Sequence, residues 1–149
     1  MMTLAKALKV KNRLIGQLNS LREQATAHNN GRSDLTTSIN IQDVWTELEE
    51  VKSRLIDLKG KVAVATAPIS PKLVQMAELK SELKFIEEIS VHEGTLDIGY
   101  GATTPKVVTW LPYLTEVAKA KKMKELKEQI ASTQDEVDEF NAATKINFE

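Results

Sequence analysis

Hydrophobic residues between positions 41 and 65 recur at spacings that alternate three and four without a break. This is the period of a long α-helix that buries one narrow stripe against another helix. A helix of this length does not bury its stripe alone, so the pattern predicts helix pairing, within the chain or between chains. The stripe consists of Ile41, Val44, Leu48, Val51, Leu55, Leu58, Val62 and Ala65.

Three further segments carry apolar stripes of the same helical period. Thr3, Asn40 and Thr115 are placed to cap helices, and Ser70 followed by Pro71 is typical of a cap and a first helical residue. Gly16 lowers the helix propensity of the first segment, which we interpret as a close helix crossing. The pattern predicts helices over about residues 3–29, 40–66, 71–91 and 115–141.

The helical period fails between Gly94 and Tyr113. Two runs rich in β-forming residues lie on either side of a turn-forming stretch that ends at Pro105, which predicts a β-hairpin over about residues 95–113. A two-stranded hairpin alone is marginally stable in water, so we expect this one to pack on the helices or on another subunit.

The predicted fold is mainly α: an antiparallel bundle of long amphipathic helices with a β-hairpin inserted before the last helix, in a single domain over residues 1–149. Aromatic residues make up 5% of the chain and charged residues 28%, which suits helix packing through aliphatic side chains. Four such stripes and a hairpin exceed what a chain of this size readily encloses. A homo-oligomer is therefore expected.

The overall charge of −1 argues against a nucleic-acid partner, and no apolar run is long enough to span a membrane. The basic N-terminal segment lacks the features of a signal peptide, so it is interpreted as folded helix. Because the chain has no cysteine, we expect a cytoplasmic protein. Residues 142–149 are expected to form a short tail.

Residues suited to catalysis or metal binding are not grouped in this sequence. His28 and His92 lie near predicted helix ends, where a positive charge is favourable, and neither has the spacing of a metal ligand pair. The segment Gly99–Gly101 lacks the spacing of a phosphate-binding loop. We therefore predict a non-enzymatic protein with no catalytic residues, no metal and no cofactor.

The charge order of the last helix runs against the helix dipole: lysines crowd its first half and carboxylates its second half. One explanation is pairing with oppositely charged helices, and the first helix, basic from Lys6 to Arg13, could lie along the acidic half. The other is an anion pocket with an aromatic floor that stacks a base and holds its phosphates. The candidate ligand-binding residues are Tyr100, Lys106, Trp110, Tyr113, Lys119, Lys121 and Lys122.

Trp45 lies beside the stripe of the second helix, next to the polar loop after Gly31. Its ring could close the end of the bundle or stack on a ligand. Both interpretations are open at this point.

Two segments carry a family resemblance: Leu4–Leu14 with its Asn12-Arg13-Leu14 ending, and Leu126–Ile146 with its run from Asp135 to Lys145. In these segments and in its helical middle, the chain resembles the small helical proteins of bacteria and phages called septicolysin-like. The resemblance implies a helical fold but no settled activity, and the hairpin departs from it. Cytolysin function is not implied, because the chain lacks the continuous apolar segments that pore formation requires.

Two functions follow as hypotheses. The first is a non-enzymatic helical assembly or interaction protein that forms a homo-oligomer. The alternative is an oligomeric protein that captures a nucleotide-like anion, such as a phage protein that sequesters a host signalling nucleotide.

Overall fold

The computed structural model describes residues 1–31, 39–92, 94–97 and 107–148. It is a mainly α fold with a β-hairpin before the last helix, which confirms the predicted fold class. In chain order the elements are β1 (Met2–Thr3), α1 (Leu4–His28), α2 (Ile41–Thr66), a 3₁₀ turn (Ala67–Ile69), α3 (Ser70–Glu88), β2 (Gly94–Asp97), β3 (Val107–Trp110), α4 (Glu116–Ala143) and β4 (Lys145–Ile146).

The chain divides into two compact units. The first contains Met1–Ser70 and Val137–Glu149, and the second contains Pro71–Glu136. The single domain over residues 1–149 stays a prediction.

Helices α1 and α2 form the core of the first unit. The Thr3 hydroxyl oxygen accepts a hydrogen bond from the Lys6 amide at 3.2 Å, and the Asn40 side chain accepts one from the Gln42 amide at 3.1 Å. Both are N-caps that the sequence predicts, and they fix where the helices begin. The buried residues of both stripes belong to one hydrophobic cluster, so the seam of α2 is covered by its own chain. The buried positions are Leu4, Ala7, Leu14, Leu18, Leu21 and Ala25 of α1 and Val44, Leu48, Val51, Leu55, Leu58 and Val62 of α2.

Gly16 differs from expectation. No heavy atom lies within 4 Å of the position that a Cβ atom would occupy there. A close helix crossing therefore does not explain this glycine, and the exposed face of α1 simply tolerates it.

A small antiparallel sheet closes the first unit. Met2 pairs with Ile146 and Thr3 pairs with Lys145, and the Leu4 amide donates to the Thr144 carbonyl at 2.7 Å. We call β1 and β4 together the terminal clasp. Ile146 is buried in the same cluster as the stripes of α1 and α2, together with Phe148. The segment expected to be a tail is thus partly a strand, because its two large side chains alternate toward the core.

Helix α3 begins differently from the prediction. A 3₁₀ turn over Ala67–Ile69 precedes it, and Ser70 is its first helical residue rather than a cap outside the helix. The Ser70 hydroxyl donates to the Ala67 carbonyl at 2.9 Å. The helix ends at Glu88 rather than near residue 91, and only Ile86 along it is buried.

Within the second unit α3 and α4 run antiparallel. Lys72 pairs with Glu136 at 2.8 Å, and Lys122 pairs with Glu82 at 3.6 Å. The Thr115 hydroxyl oxygen accepts from the Ala118 amide at 3.2 Å, so Thr115 caps α4 as predicted.

Strands β2 and β3 form the hairpin that precedes α4. Gly94 pairs with Trp110, and Leu96 pairs with Val108. Directly paired residues share a face, so these four residues lie on one face of the hairpin. The predicted turn, residues 101–105, lies outside the described residues, as do residues 98–100 and 106 of the predicted strands.

Candidate functional site

The structure describes five of the seven predicted ligand-binding residues. Tyr100 and Lys106 lie outside the described residues. Trp110, Tyr113, Lys119, Lys121 and Lys122 all belong to the second unit.

Lys119 caps the C-terminal end of α3. Its ammonium group donates to the carbonyl oxygen of Glu87 at 2.9 Å and to that of Ile89 at 2.7 Å. The last carbonyls of a helix lack partners within the helix and carry partial negative charge, so a cation is favourable there. Two of the three donors of the ammonium are thus used within the chain.

The other two lysines have carboxylate partners. Lys122 lies 3.6 Å from Glu82 of α3, and Lys121 lies 4.0 Å from Glu125 one turn along its own helix. Lys121 is 79% exposed and its pair is at the limit of an ion pair, so this contact contributes little. The cleft that contains Lys119 is lined by residues of α4, but neither Lys121 nor Lys122 is among them.

The order of charges along α4 matches the pairing explanation at both of its cross-helix contacts. Lys122, in the basic half, meets an acid of α3, and Glu136, in the acidic half, meets Lys72 of α3. The partner helix is α3, whereas the sequence suggested α1 for the acidic half. Opposite charges therefore meet when the two helices run antiparallel.

Trp110 lies on the apolar face of the hairpin and is 53% exposed. It lines a groove of about 340 Å³ together with His92, Gly94, Thr95 and Leu96. Tyr113 is fully exposed. Among the described residues the cleft that contains Lys119 and the groove that contains Trp110 share no lining residue. The anion pocket stays a prediction.

Large exposed hydrophobic side chains are concentrated between residues 96 and 117. Leu111 is 84% exposed and Val117 is 81% exposed, and the stretch from Val107 to Thr115 contains no charged residue. Sequence analysis identified Trp110 and Tyr113 in this stretch but missed its aliphatic members. We define the hairpin surface as Leu96, Trp110, Leu111, Tyr113 and Val117. Val107, which is also exposed, pairs with Asp97 and lies on the other face of the hairpin.

A second cleft lies in the first unit, beside Trp45, and has a volume of about 540 Å³. Sequence analysis missed its other residues, and the available signal was Ala25, a small residue that follows Leu14, Leu18 and Leu21 on the stripe of α1. We define the Trp45 cleft as Arg22, Ala25, Thr26, Asn29, Asn30, Trp45 and Leu48.

The two histidines lie in different surroundings, both near the ends of helices. His28 is the last residue of α1, as expected of a cation at a helix C-terminus. His92 lies beyond the end of α3 and contributes to the groove of Trp110.

The described residues offer neither a clustered metal site nor a membrane-spanning helix. No group of three or more potential metal-ligating side chains occurs in residues 1–31, 39–92, 94–97 and 107–148. In the same part of the chain, no helix has the length and apolar character needed to cross a membrane.

Comparison with protein-family models, with curated proteins and with solved structures gives no match to this chain. The resemblance to septicolysin-like proteins therefore stays a prediction.

Proposed function

We propose that this protein is a non-enzymatic helical assembly protein that forms a homo-oligomer through the hairpin surface. The observation that carries the proposal is the concentration of exposed hydrophobic side chains between Leu96 and Val117. Single exposed hydrophobic residues are ordinary, but a concentration of them marks an interaction site in a folded protein.

The form of the hairpin supports this proposal. It has two strands, and one of its faces presents Leu96 and Trp110, both more than half exposed. An antiparallel sheet normally covers its apolar face, and two strands alone are marginally stable in water. Docking against another surface would bury that face and stabilise the hairpin.

The charge of the surface favours a second copy as the partner. In a symmetric dimer the same patch of both copies forms the interface, so like charges in that patch would repel each other across it. The stretch from Val107 to Thr115 contains no charged residue, and the surface is thus compatible with itself. A nucleic-acid or strongly charged protein partner would instead select for complementary charge.

The test is size-exclusion chromatography with light scattering on the full chain, whose monomer mass is 16.6 kDa. We expect a discrete oligomer, and we expect Leu111→Ser combined with Tyr113→Ser to shift it toward the monomer. Both side chains are exposed, so the substitutions should leave the fold intact, which far-UV circular dichroism checks. Phe85→Ser, an equally apolar change at a 63% exposed position of α3, is the control.

A strictly monomeric wild-type protein would refute the proposal. An oligomer that survives the double substitution but dissociates with Phe85→Ser would move the interface to α3. Binding of the monomer to neutral lipid vesicles, lost in the double variant, would assign the surface to a membrane instead.

The alternative function is capture of a nucleotide-like anion by the oligomer, such as the sequestration of a host signalling nucleotide by a phage protein. It ranks second because Lys119, Lys121 and Lys122 all have partners within the chain. A thermal-shift screen with mono-, di- and cyclic nucleotides tests it, since ligand at 100 times its dissociation constant adds about 2.7 kcal/mol of stability. The absence of a shift with every nucleotide would refute this alternative.

We also propose a cytoplasmic location, which the absence of cysteine supports.

A further inference from the structure

We infer that the Trp45 cleft is a binding site for a small aromatic anion, a flat ring that carries a phosphate or carboxylate group. The inference is independent of the proposed assembly, because the cleft belongs to the first unit and the hairpin surface to the second.

The cleft arises from a change of residue size along the stripe of α1. Leu14, Leu18 and Leu21 occupy three buried positions, and the next buried position is Ala25. Replacing leucine by alanine removes three carbons from a core layer, and the neighbouring groups do not fill all of that space. The cleft of about 540 Å³ lies within the usual range of small-molecule sites.

The walls differ in character. Ala25 and Leu48 are buried and form an apolar floor, whereas Trp45 is 42% exposed. An indole held at the edge of a cleft can stack on a flat ring, which removes apolar area of both partners from water. This use of Trp45 was one of the two interpretations that the sequence left open.

The rim supplies charge and hydrogen bonds of the matching kind. Among the described residues that line the cleft, Arg22 is the only one that carries a charge, and it makes no ion pair with a described residue. Its guanidinium offers a fork of donors that fits a carboxylate or a phosphate. The side-chain amides of Asn29 and Asn30, both exposed, add donors and acceptors beside it.

An apolar floor, an aromatic wall and one cation on a polar rim together select the ligand class. A neutral ring would leave Arg22 unused, and a bare inorganic anion would leave the floor and Trp45 unused. The combination favours a ring with an anionic substituent over either half alone.

The experiment measures fluorescence of the full chain in a Trp110→Phe background, because the sequence has two tryptophans and this leaves Trp45 as the reporter. The probes are adenosine 5′-monophosphate and benzoate, which distinguish a phosphate from a carboxylate. Adenosine and inorganic phosphate serve as the separate halves of the first probe. We expect saturable quenching by at least one of the two anions. If the site prefers the nucleotide, adenosine and phosphate should each bind at least about tenfold more weakly than the nucleotide does.

Two variants test the residues by different routes. Arg22→Ala removes the cation and should weaken binding by about tenfold or more, the loss of a charge-assisted contact. Ala25→Leu restores the missing carbons and should abolish binding by filling the cleft. Arg54→Ala, the loss of an exposed arginine of α2 outside the cleft, is the control and should change affinity less than about twofold.

The inference fails if neither anion gives saturable quenching at concentrations up to about 5 mM, where even weak sites fill. It also fails if Arg22→Ala and Arg54→Ala bind equally well. If Ala25→Leu does not fold, as judged by circular dichroism, the comparison of the two arginine variants still decides the outcome.

Discussion

The ammonium group of Lys119 is suited to bind either an anionic ligand or the carbonyl oxygens at the end of a helix. A lysine in a cluster of lysines is suited to hold an anion, yet this ammonium group lies against the last carbonyls of α3. Those carbonyl oxygens carry partial negative charge, because the aligned peptide dipoles of a helix place their negative end at its C-terminus. The residue therefore joins the end of α3 to the start of α4.

Replacing Lys119 by methionine tests this contact. The substitution keeps most of the aliphatic stem but removes both hydrogen bonds, and bonds that involve a charged group contribute about 1.5–3 kcal/mol each to stability at most. We expect the free energy of unfolding to fall by about 1–3 kcal/mol in urea denaturation. Lys121→Met, on an exposed lysine with a marginal ion pair, should change it by less than about 0.5 kcal/mol. Equal effects of the two substitutions would contradict the capping role.

The glycines allow a second comparison. Gly16 lies within α1 with open space around its Cβ position, so Gly16→Ala should stabilise the protein by about 0.5–1 kcal/mol. Gly94 begins β2 with φ of 132°, a conformation that side chains of L-residues rarely adopt. Gly94→Ala should destabilise by about 1–3 kcal/mol despite equally open space. Thermal unfolding of both variants measures the difference, and stabilisation by both would refute the backbone argument.

For single residues, the sequence predicts the contacts that each makes with residues close to it along the chain. The caps at Thr3, Asn40 and Thr115 were predictable, because a cap acts within three residues of its own position. The partner of Lys119 was not, because the contact joins residues 30 and 32 positions apart and depends on the register of two helices.

At the scale of elements, α2 has two faces of sharply different environment. Leu58 is fully buried in the core of the first unit, while Ile56, two residues earlier, is 64% exposed. The difference follows from the helical period, which places the two side chains on separate faces.

Alanine substitutions at these two positions measure the difference. Leu58→Ala removes buried carbons and leaves a cavity, so we expect a loss of about 2–5 kcal/mol. Ile56→Ala should cost less than about 0.5 kcal/mol, because its side chain remains largely in water. Chemical denaturation of the two variants at equal protein concentration is the measurement. A large loss at Ile56 would show that its exposed face is covered by another chain in solution.

The long elements were predictable and the short ones were not. A stripe repeated over seven turns identifies α2 and its ends, whereas β1 and β4 have two residues each and no detectable period. The clasp also depends on partners from opposite ends of the chain, which no local pattern reveals. The α3 stripe predicted a buried helix, but its residues other than Ile86 keep part of their surface in water.

At the scale of the whole molecule, the proposed assembly rests on apolar rather than charged contacts. The hairpin surface contributes hydrophobic area from a stretch without charge, and the chain as a whole carries −1. The ion pairs that Lys121, Lys122 and Glu136 of α4 form lie within the chain, and their side chains are 40–79% exposed.

The salt dependence of the oligomer distinguishes association through apolar contacts from association through ion pairs. Raising NaCl from about 0.1 M to 1 M shortens the screening length from about 10 Å to 3 Å and weakens contacts between exposed charges. We expect the oligomer to persist or to become more stable, because burial of apolar area is not screened. Light scattering at the two salt concentrations checks this, and dissociation at high salt would point to charged contacts.

The candidate sites were the least predictable part of the molecule. The sequence left Trp45 open between closing the end of the bundle and stacking on a ligand, and it gave Trp110 as a candidate ligand-binding residue. Their exposure follows from packing, which a local pattern does not reveal: Trp45 lines the cleft beside Ala25, and Trp110 lies on a face that the described residues leave 53% exposed.

The terminal clasp also has a consequence for the order of folding. Its pairing of Met2 with Ile146 spans almost the whole chain, whereas α1 and α2 contact each other across a short connection. Contacts between distant positions form late, because a long loop must close before they gain any energy. The clasp should therefore be absent from the folding transition state.

Ile146→Ala tests that order by stopped-flow kinetics. The loss of a buried isoleucine side chain costs about 2 kcal/mol or more, and for a late contact this should appear as unfolding that is about 30-fold faster with little change in folding rate. Slower folding by a similar factor would place the clasp early. In the expected case, two residues at each end of the chain govern how long the folded first unit lasts and have little influence on how quickly it forms.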